Sequence, residues 1–327
     1  MIFILAYLIL GVIGGALLLF FVITLACFLL VFYSPKRKRL AENEYDIPRG
    51  KIYMAHRDKI IEWTRLARTL PYEEMTVISH DGLTLRGRYY EYAPAAPTEI
   101  LFHGYRGNAL RDMSGGVYRA RMLGRNAILV DQRASGESDG HVISFGINES
   151  LDCLAWIKAA EEKLGADAEF MITGISMGAA TVMMAAGMGL PKSVKGVLAD
   201  CGYTSPKEII TKVLREDLHL PPVIFYPIIR LGARLFGRFD LEGYSPISAM
   251  QRIDVPLILY HGTADAYVPS YMSDELYAAC KSKEKRIVNI DGAGHGLAFP
   301  TDMEAYVDAL RDFSDAYVFT GKTQASS

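Results

Sequence analysis

From Ile2 to Tyr33 the chain carries no Asp, Glu, Lys or Arg, and that opening run limits the fold more than anything after it. As a helix its roughly 32 residues would reach about 48 Å, more than the ~30 Å hydrocarbon core of a bilayer requires. A cleaved signal peptide fits worse. No Lys or Arg precedes the run, no Ala-x-Ala follows it, and it is too long for such a segment. Residues 1–33 therefore read as a transmembrane anchor, a single pass in the cell membrane. Ala26-Cys27 is only a faint lipoprotein signal, since Thr24 stands where Leu is expected. Gly11 and Gly15 form a Gly-x-x-x-Gly pair of the kind that lets such helices approach, a weak match in a segment this rich in Gly. Lys36, Arg37, Lys38 and Arg39 follow, with Arg49 and Lys51 close behind. By the positive-inside rule the remaining domain is expected in the cytoplasm.

Past the anchor, charge is ordinary. The whole chain has 35 Lys+Arg against 37 Asp+Glu, so a basic nucleic-acid binder is excluded. Cys27, Cys153, Cys201 and Cys280 are scattered, form no Cys-x-x-Cys, and offer neither a disulfide framework nor a metal site. They read as free thiols. No Gly-x-Gly-x-x-Gly, P-loop or metal-ligand spacing occurs, so no cofactor and no metal are expected. Asn148-Glu149-Ser150 matches a glycosylation sequon that a cytoplasmic domain would not use.

Residues 34–74 read as a basic linker followed by a short amphipathic helix near Asp58 to Leu70. Two strands, Met75 to Ser79 and Leu83 to Tyr92, flank His80-Asp81-Gly82, a hairpin turn signal. Six further apolar runs follow: Glu99 to Phe102, Ala127 to Val130, Phe170 to Thr173, Val194 to Ala199, Leu257 to Tyr260 and Arg286 to Ile290. Most are separated by enough chain for a crossover helix. The clearest is Asn148 to Leu164, with Asn148 as N-cap and Gly165 at its end. The alternation predicts an α/β domain over 75–320, a mostly parallel eight-stranded sheet with helices on both faces. Residues 321–327 are expected to be a flexible tail.

In such a sheet catalytic groups gather at the carboxyl ends of the strands. There the chain reads His103-Gly104-Tyr105-Arg106-Gly107-Asn108, Asp131-Gln132-Arg133-Ala134-Ser135-Gly136, Gly174-Ile175-Ser176-Met177-Gly178, His261-Gly262-Thr263-Ala264-Asp265 and Gly292-Ala293-Gly294-His295-Gly296. Gly-x-Ser-x-Gly alone is modest evidence. Here Ser176 follows an apolar run and precedes the helix-like Ala179 to Met188, the strand-turn-helix setting of a nucleophile elbow. A serine hydroxyl needs a base, and the base needs an orienting acid. Of seven histidines only His295 follows every candidate acid in a Ser…Asp…His order. His103 and His261 read as loop-organising residues. Asp265 is the acid, with Asp200 its rival, and Asp131 is expected to brace a turn.

These motifs, in this order, resemble the α/β-hydrolase family over nearly all of Met75 to Phe319, closest to membrane-anchored bacterial hydrolases of the proline-iminopeptidase-like or dipeptidyl-aminopeptidase-like kind. The resemblance implies Ser176 as nucleophile, His295 as general base, Asp265 as orienting acid, and the backbone N–H groups of Met177 and Tyr105 as the oxyanion hole. Ala134 stands where the family commonly has Gly, which touches a loop and not the triad. The family inserts a lid after strand 6, which here would be residues 203–252, and Pro221 to Pro227 within it is strongly apolar. The expected activity is hydrolysis of an acyl ester, thioester or amide on a small-molecule substrate. Aminopeptidase-type cleavage and a non-catalytic, membrane-tethered binding protein are the alternatives, and the oligomeric state stays open. Arg230, Arg234 and Arg238 recur every four residues, so one face of a lid helix is expected to be basic, with its arginines in water and its apolar side over Ser176; the alternative is that the basic face also touches the anionic inner leaflet.

Overall fold

The structure is a computed structural model that describes residues 2–36, 41, 44–48, 50–165 and 167–320. Arg37, Lys38, Arg39, Arg49 and the 321–327 tail lie outside the described residues. Lys36 is described, and its ammonium donates to the Ser138 carbonyl at 2.6 Å.

Eight strands build one sheet: β1 (Glu73–Ile78), β2 (Thr84–Tyr90), β3 (Thr98–Phe102), β4 (Asn126–Asp131), β5 (Phe170–Ile175), β6 (Val194–Asp200), β7 (Leu257–Gly262) and β8 (Lys285–Ile290). Their order is β1-β2-β4-β3-β5-β6-β7-β8. Only β2 runs antiparallel to its neighbours, β1 and β4. The hairpin between β1 and β2 turns at Gly82, whose φ of +86° is left-handed.

Twelve α-helices accompany the sheet among the described residues: α1 (Ile2–Phe32), α2 (Lys51–Met54), α3 (Arg57–Thr69), α4 (Ala109–Met122), α5 (Ile147–Leu164), α6 (Met177–Ala186), α7 (Pro206–Lys212), α8 (Pro222–Gly232), α9 (Pro246–Met250), α10 (Tyr271–Ala279), α11 (Ala298–Thr301) and α12 (Met303–Tyr317). Single π turns follow α7 and α8, at Val213–Asp217 and Ala233–Gly237. Alternate strand residues feed two cores, as the period of two demands. Ile100, Phe102, Ile128, Val130 and Ile172 pack with Trp156 of α5 and Val182 of α6. On the opposite face Leu101 and Leu129 meet α4, while Met171, Leu198 and Ile258 meet Trp63 of α3 and Leu310 of α12.

The crossover helix begins two residues before the expected cap. Gly146, at φ +93°, is the N-cap, and the Glu149 carboxylate reaches back to accept the N–H groups of Ser144 and Gly146. A glutamate at the third helical position supplies the cap that a serine or asparagine side chain would otherwise provide.

Side chains on α1 are exposed from Phe3 to Ile23, about 32 Å of helix. From Thr24 on, one face is covered. Phe28 and Phe32 are buried against the stretch between β6 and β7, with Phe28 5.4 Å from Phe236 and Phe32 5.2 Å from Phe239, ring centre to ring centre. Gly232 permits this approach, because a Cβ there would lie 3.1 Å from both the Thr24 carbonyl oxygen and the Phe28 Cβ. The last carbonyls of a helix have no partner within it. Here the domain supplies them: Arg106 donates to the Leu30 and Tyr33 carbonyls, Tyr105 to Val31, and the Ile143 N–H to Phe32. The helix is thus fastened to the domain and not merely joined to it by a linker.

Candidate active site

Ser176 stands between β5 and α6 with φ 56° and ψ −116°, a backbone conformation that an L-residue adopts only under compulsion. The compulsion is the packing of its glycine neighbours. A Cβ on Gly174 would fall 2.0 Å from the Gly178 carbonyl oxygen, and one on Gly178 would fall 2.1 Å from that of Phe102. The turn therefore closes only with glycine at both positions, and it lifts the serine above the strand ends. The Ser176 N–H is anchored by the Asp200 carbonyl at 2.8 Å.

His295, on the loop after β8, places Nε2 2.9 Å from Ser176 Oγ and Nδ1 2.7 Å from Asp265 Oδ2. Asp265 follows β7. Its other oxygen accepts the N–H groups of Tyr267 and Val268, both at 2.9 Å. Burial alone would raise the Asp265 carboxyl, but hydrogen bonds from His261 and His295 and the Val268 N–H outweigh it and hold the group well below the usual carboxylate range. A carboxylate facing Nδ1 fixes the proton there and leaves Nε2 free to accept from the serine hydroxyl. Ser176, His295 and Asp265, picked from the sequence, meet at hydrogen-bond distance.

Asp200 does not join them. Its Oδ2 accepts from the Tyr306 hydroxyl at 3.1 Å, and burial pushes its carboxyl up to about 6. His103 is buried, with Nδ1 bonded to the Gly104 carbonyl and Nε2 accepting the Gln132 N–H, so it braces its loop. His261 does the same between Ser273 and the Val268 carbonyl. Asp131 accepts the N–H groups of Ala109 and Glu137. Ala134 has φ 59°, a left-handed conformation, which accounts for glycine being the usual residue there. Met177 is the first residue of α6, so its N–H belongs to the set that has no partner inside the helix. Gly104 brings the Tyr105 peptide alongside, since a Cβ on Gly104 would lie 3.5 Å from the Ser176 Cβ.

Among the described residues one group has metal-ligand character, Cys201, Asp265 and His295, whose ligand atoms lie within 4.8 Å of one another. Asp265 and His295 already bond to each other, and burial pushes the Cys201 thiol well up, away from the thiolate a metal needs.

A cavity of about 590 Å³ opens on Ser176 and His295. Its walls depart from the sequence reading. Of residues 203–252 only Asp217 lines it, whereas the segment expected to be a linker and short helix contributes Pro48, Ile52 and Tyr53 from the first and Ile60 and Trp63 from the second. The Tyr53 hydroxyl donates to the His295 carbonyl at 3.1 Å, and Lys59 donates to Pro300. The available signal was the spacing of Ile60, Trp63 and Ala67, three buried positions on one side of α3. That stripe commits the helix to packing on the domain.

A mostly parallel sheet covered on both faces, carrying a strained serine elbow after β5 and a histidine loop after β8, is the α/β-hydrolase fold. The chain is similar in structure to the Pyrococcus furiosus esterase Pf2001, with a TM-score of 0.64 and 18% identity over 88% of this chain and 99% of that one. It belongs to the prolyl oligopeptidase family of hydrolases, whose pattern matches residues 144–319, more than half its length. Over 234 residues it is 25% identical to the uncharacterized protein YqkD of Bacillus subtilis, covering 72% of this chain and 76% of that one. Over 247 residues it is 22% identical to the uncharacterized membrane protein YNL320W of Saccharomyces cerevisiae, covering 76% and 81%.

Proposed function

We propose that this chain is a membrane-anchored serine hydrolase that cleaves a small acyl ester or thioester through an acyl-enzyme. The carrying observation is His295 bridging Ser176 at 2.9 Å and Asp265 at 2.7 Å. Ser176 Oγ attacks the acyl carbon while its proton passes to His295 Nε2. Asp265 holds the imidazole tautomer and balances the imidazolium, and the Met177 and Tyr105 N–H groups receive the oxyanion. His295 returns the proton to the leaving group. A water, deprotonated by the same nitrogen, then attacks the acyl-serine and releases the acid.

Aminopeptidase-type cleavage of short peptides is the second reading. It calls for a carboxylate free to hold a substrate ammonium, yet of the carboxylates lining the cavity Asp112 is bound to Arg111 and Asp217 to Lys212. Asp200 has one oxygen on the Tyr306 hydroxyl and the other buried without a partner, and is the lining carboxylate on which that second reading would rest. The ester reading is favoured by the apolar lining from Ile52, Trp63, Leu297 and Phe299.

α1 is the one candidate span among the described residues, and the yeast relative's description as a membrane protein supports reading it as an anchor. The basic cluster after it supports a cytoplasmic domain. A reporter fused at the C-terminus and active only outside the cytoplasm would reverse that orientation.

The test of the chemistry is fluorophosphonate labelling of the full chain beside Ser176→Ala. Labelling of the first alone is expected, with hydrolysis in the variant down by roughly 10⁴- to 10⁶-fold. Labelling of neither would remove the enzyme reading and leave a binding protein. A panel of acyl esters and aminoacyl amides then separates esterase from peptidase.

A further inference from the structure

The arginines that the sequence offered to a membrane are already engaged. Arg230 Nε lies 2.9 Å from Asp240 and its Nη1 2.8 Å from Glu242, while Arg234 Nη2 lies 2.5 Å from Asp240. Asp240 accepts from both, and these bonds hold its carboxyl well below the usual range. Two of the three charges on that face are therefore neutralised within the domain.

What the outer side of this element does present is apolar. Tyr226, Ile229 and Ala233 turn inward and are buried. On the other side Val223 is 82% exposed, and Ile224 and Leu235 are each 56% exposed. Pro227 and Leu231 fall between Val223 and Leu235 at four-residue steps, which continues the same stripe. A helix that is apolar on both sides is one expected inside a large core or against lipid.

Its position decides between the two. α8 and the π turn after it pack directly on α1, with Gly232 at Thr24 and the Phe236 ring 5.6 Å from that of Phe21. Exposure on every side of α1 runs from Phe3 to Ile23, about 32 Å, close to the ~30 Å of a hydrocarbon core, and beyond it only the face away from the domain, with Ala26, Leu29 and Leu30, stays exposed. The bonds from Tyr105, Arg106 and Ile143 to the last carbonyls of α1 fix the helix against the domain. The level at which α1 leaves the bilayer is thereby also the level of Gly232 to Phe236.

We propose that the outer face of α8 and the Ala233–Gly237 turn is a membrane-contact surface, seated by its aliphatic side chains in the headgroup–acyl boundary of the leaflet from which α1 emerges. This rests on the reading of α1 as a membrane span. The contact is hydrophobic, so it needs no anionic lipid.

To test it, the full chain carrying Cys27→Ala is placed in phosphatidylcholine nanodiscs with single nitroxide labels at Val223→Cys, Leu235→Cys, Val12→Cys and Lys158→Cys. Cys153, Cys201 and Cys280 are buried and escape labelling. Lys158, on α5 with 78% of its side chain exposed, serves as the aqueous reference. Labels at 223 and 235 are expected to collide severalfold more with oxygen, relative to a water-soluble nickel chelate, than the label at 158. If they match 158 while 12 remains lipid-like, the surface is wrong and the span stands. If 12 also behaves as aqueous, the span itself fails. Phosphatidylglycerol and low salt are expected to change nothing, and a lipid-like signal that arises only there would replace this apolar contact with an electrostatic one.

Discussion

The Tyr105 hydroxyl donates to the Val31 carbonyl at 2.5 Å, joining the loop beside Ser176 to the last turn of the N-terminal helix. The same residue's backbone N–H is proposed to face the reacting oxygen. One side chain thus holds in place the peptide proposed for that electrostatic role, and the neighbouring Arg106, at φ 51° in the left-handed region, reaches the same helix end.

Tyr105→Phe keeps the ring and the peptide and removes only that bond. We expect kcat on a short soluble ester to fall about tenfold, with KM nearly unchanged, because a displaced oxyanion donor affects the transition state and not the bound substrate. A rise in KM with kcat intact would show that the hydroxyl serves substrate binding instead.

The two acids are separated by parallel substitutions. Asp265→Asn should lower kcat by about 10⁴-fold, since an amide facing Nδ1 allows the wrong imidazole tautomer. Asp200→Asn should leave kcat within a fewfold of the parent, its carboxyl being bonded to Tyr306 and its carbonyl, which anchors Ser176, being retained. The opposite pattern in steady-state rates would exchange their roles.

Asp200 also makes a stability prediction with a definite sign. Its ordinary value is 3.8 and burial pushes it up to about 6. The folded chain therefore holds a proton that the unfolded chain has lost between those values, and stability declines as pH rises through that window. Asp200→Asn should be more stable than the parent at pH 8, by on the order of 3 kcal/mol and so with a higher melting temperature, and should nearly match it near pH 4. Asp265 works in the opposite sense. Its depressed carboxyl contributes fully above 3.8 and its contribution disappears as the pH falls further. Thermal melts across pH 4 to 8 check the Asp200 direction, and melts from pH 4 down to 2 check that of Asp265.

The glycines of the elbow differ sharply from one that faces open space, such as Gly165. Gly178→Ala would drive a Cβ to 2.1 Å from the Phe102 carbonyl oxygen, a clash of backbone against backbone that has no flexible end to give way, so no folded protein is expected. Gly165→Ala meets open space and suffers only from its backbone conformation, φ +94° and ψ 168°, a loss of about 1–3 kcal/mol. Comparing folded yield and melting temperature of the two variants tests this.

Local features of this fold could be read directly. Each strand declared itself as a short apolar run, Asp81-Gly82 marked its hairpin, and the elbow was recognisable because Gly174, Ser176 and Gly178 fall within five consecutive residues, although the contact that demands Gly178 is with the distant Phe102 carbonyl. His295 followed from chain order. What escaped was long-range: nothing within Pro48 to Trp63 says that it lies over a cavity whose other wall is more than two hundred positions away. The swap of β3 and β4 in the sheet order is equally silent, because hydrophobic pattern records burial and not neighbours. The periodic arginines misled for the same reason. Arg230 lies in α8 and Arg234 in the turn after it, but Asp240 and Glu242, which pair with these two, sit beyond both.

Tyr53 and His295, joined by a hydrogen bond across 242 positions, also set an order of events during synthesis. At roughly 5–20 residues per second the ribosome delivers the second about 10–50 s after the first. The apolar helix is already made, and the wall segment is waiting, while the loop that carries the imidazole has yet to be built. Through that interval a growing chain has its serine elbow but no proton acceptor beside it. A product that stops short of Gly294 lacks the imidazole proposed to activate Ser176, so under that proposal competence arrives only once the loop after β8 has been made.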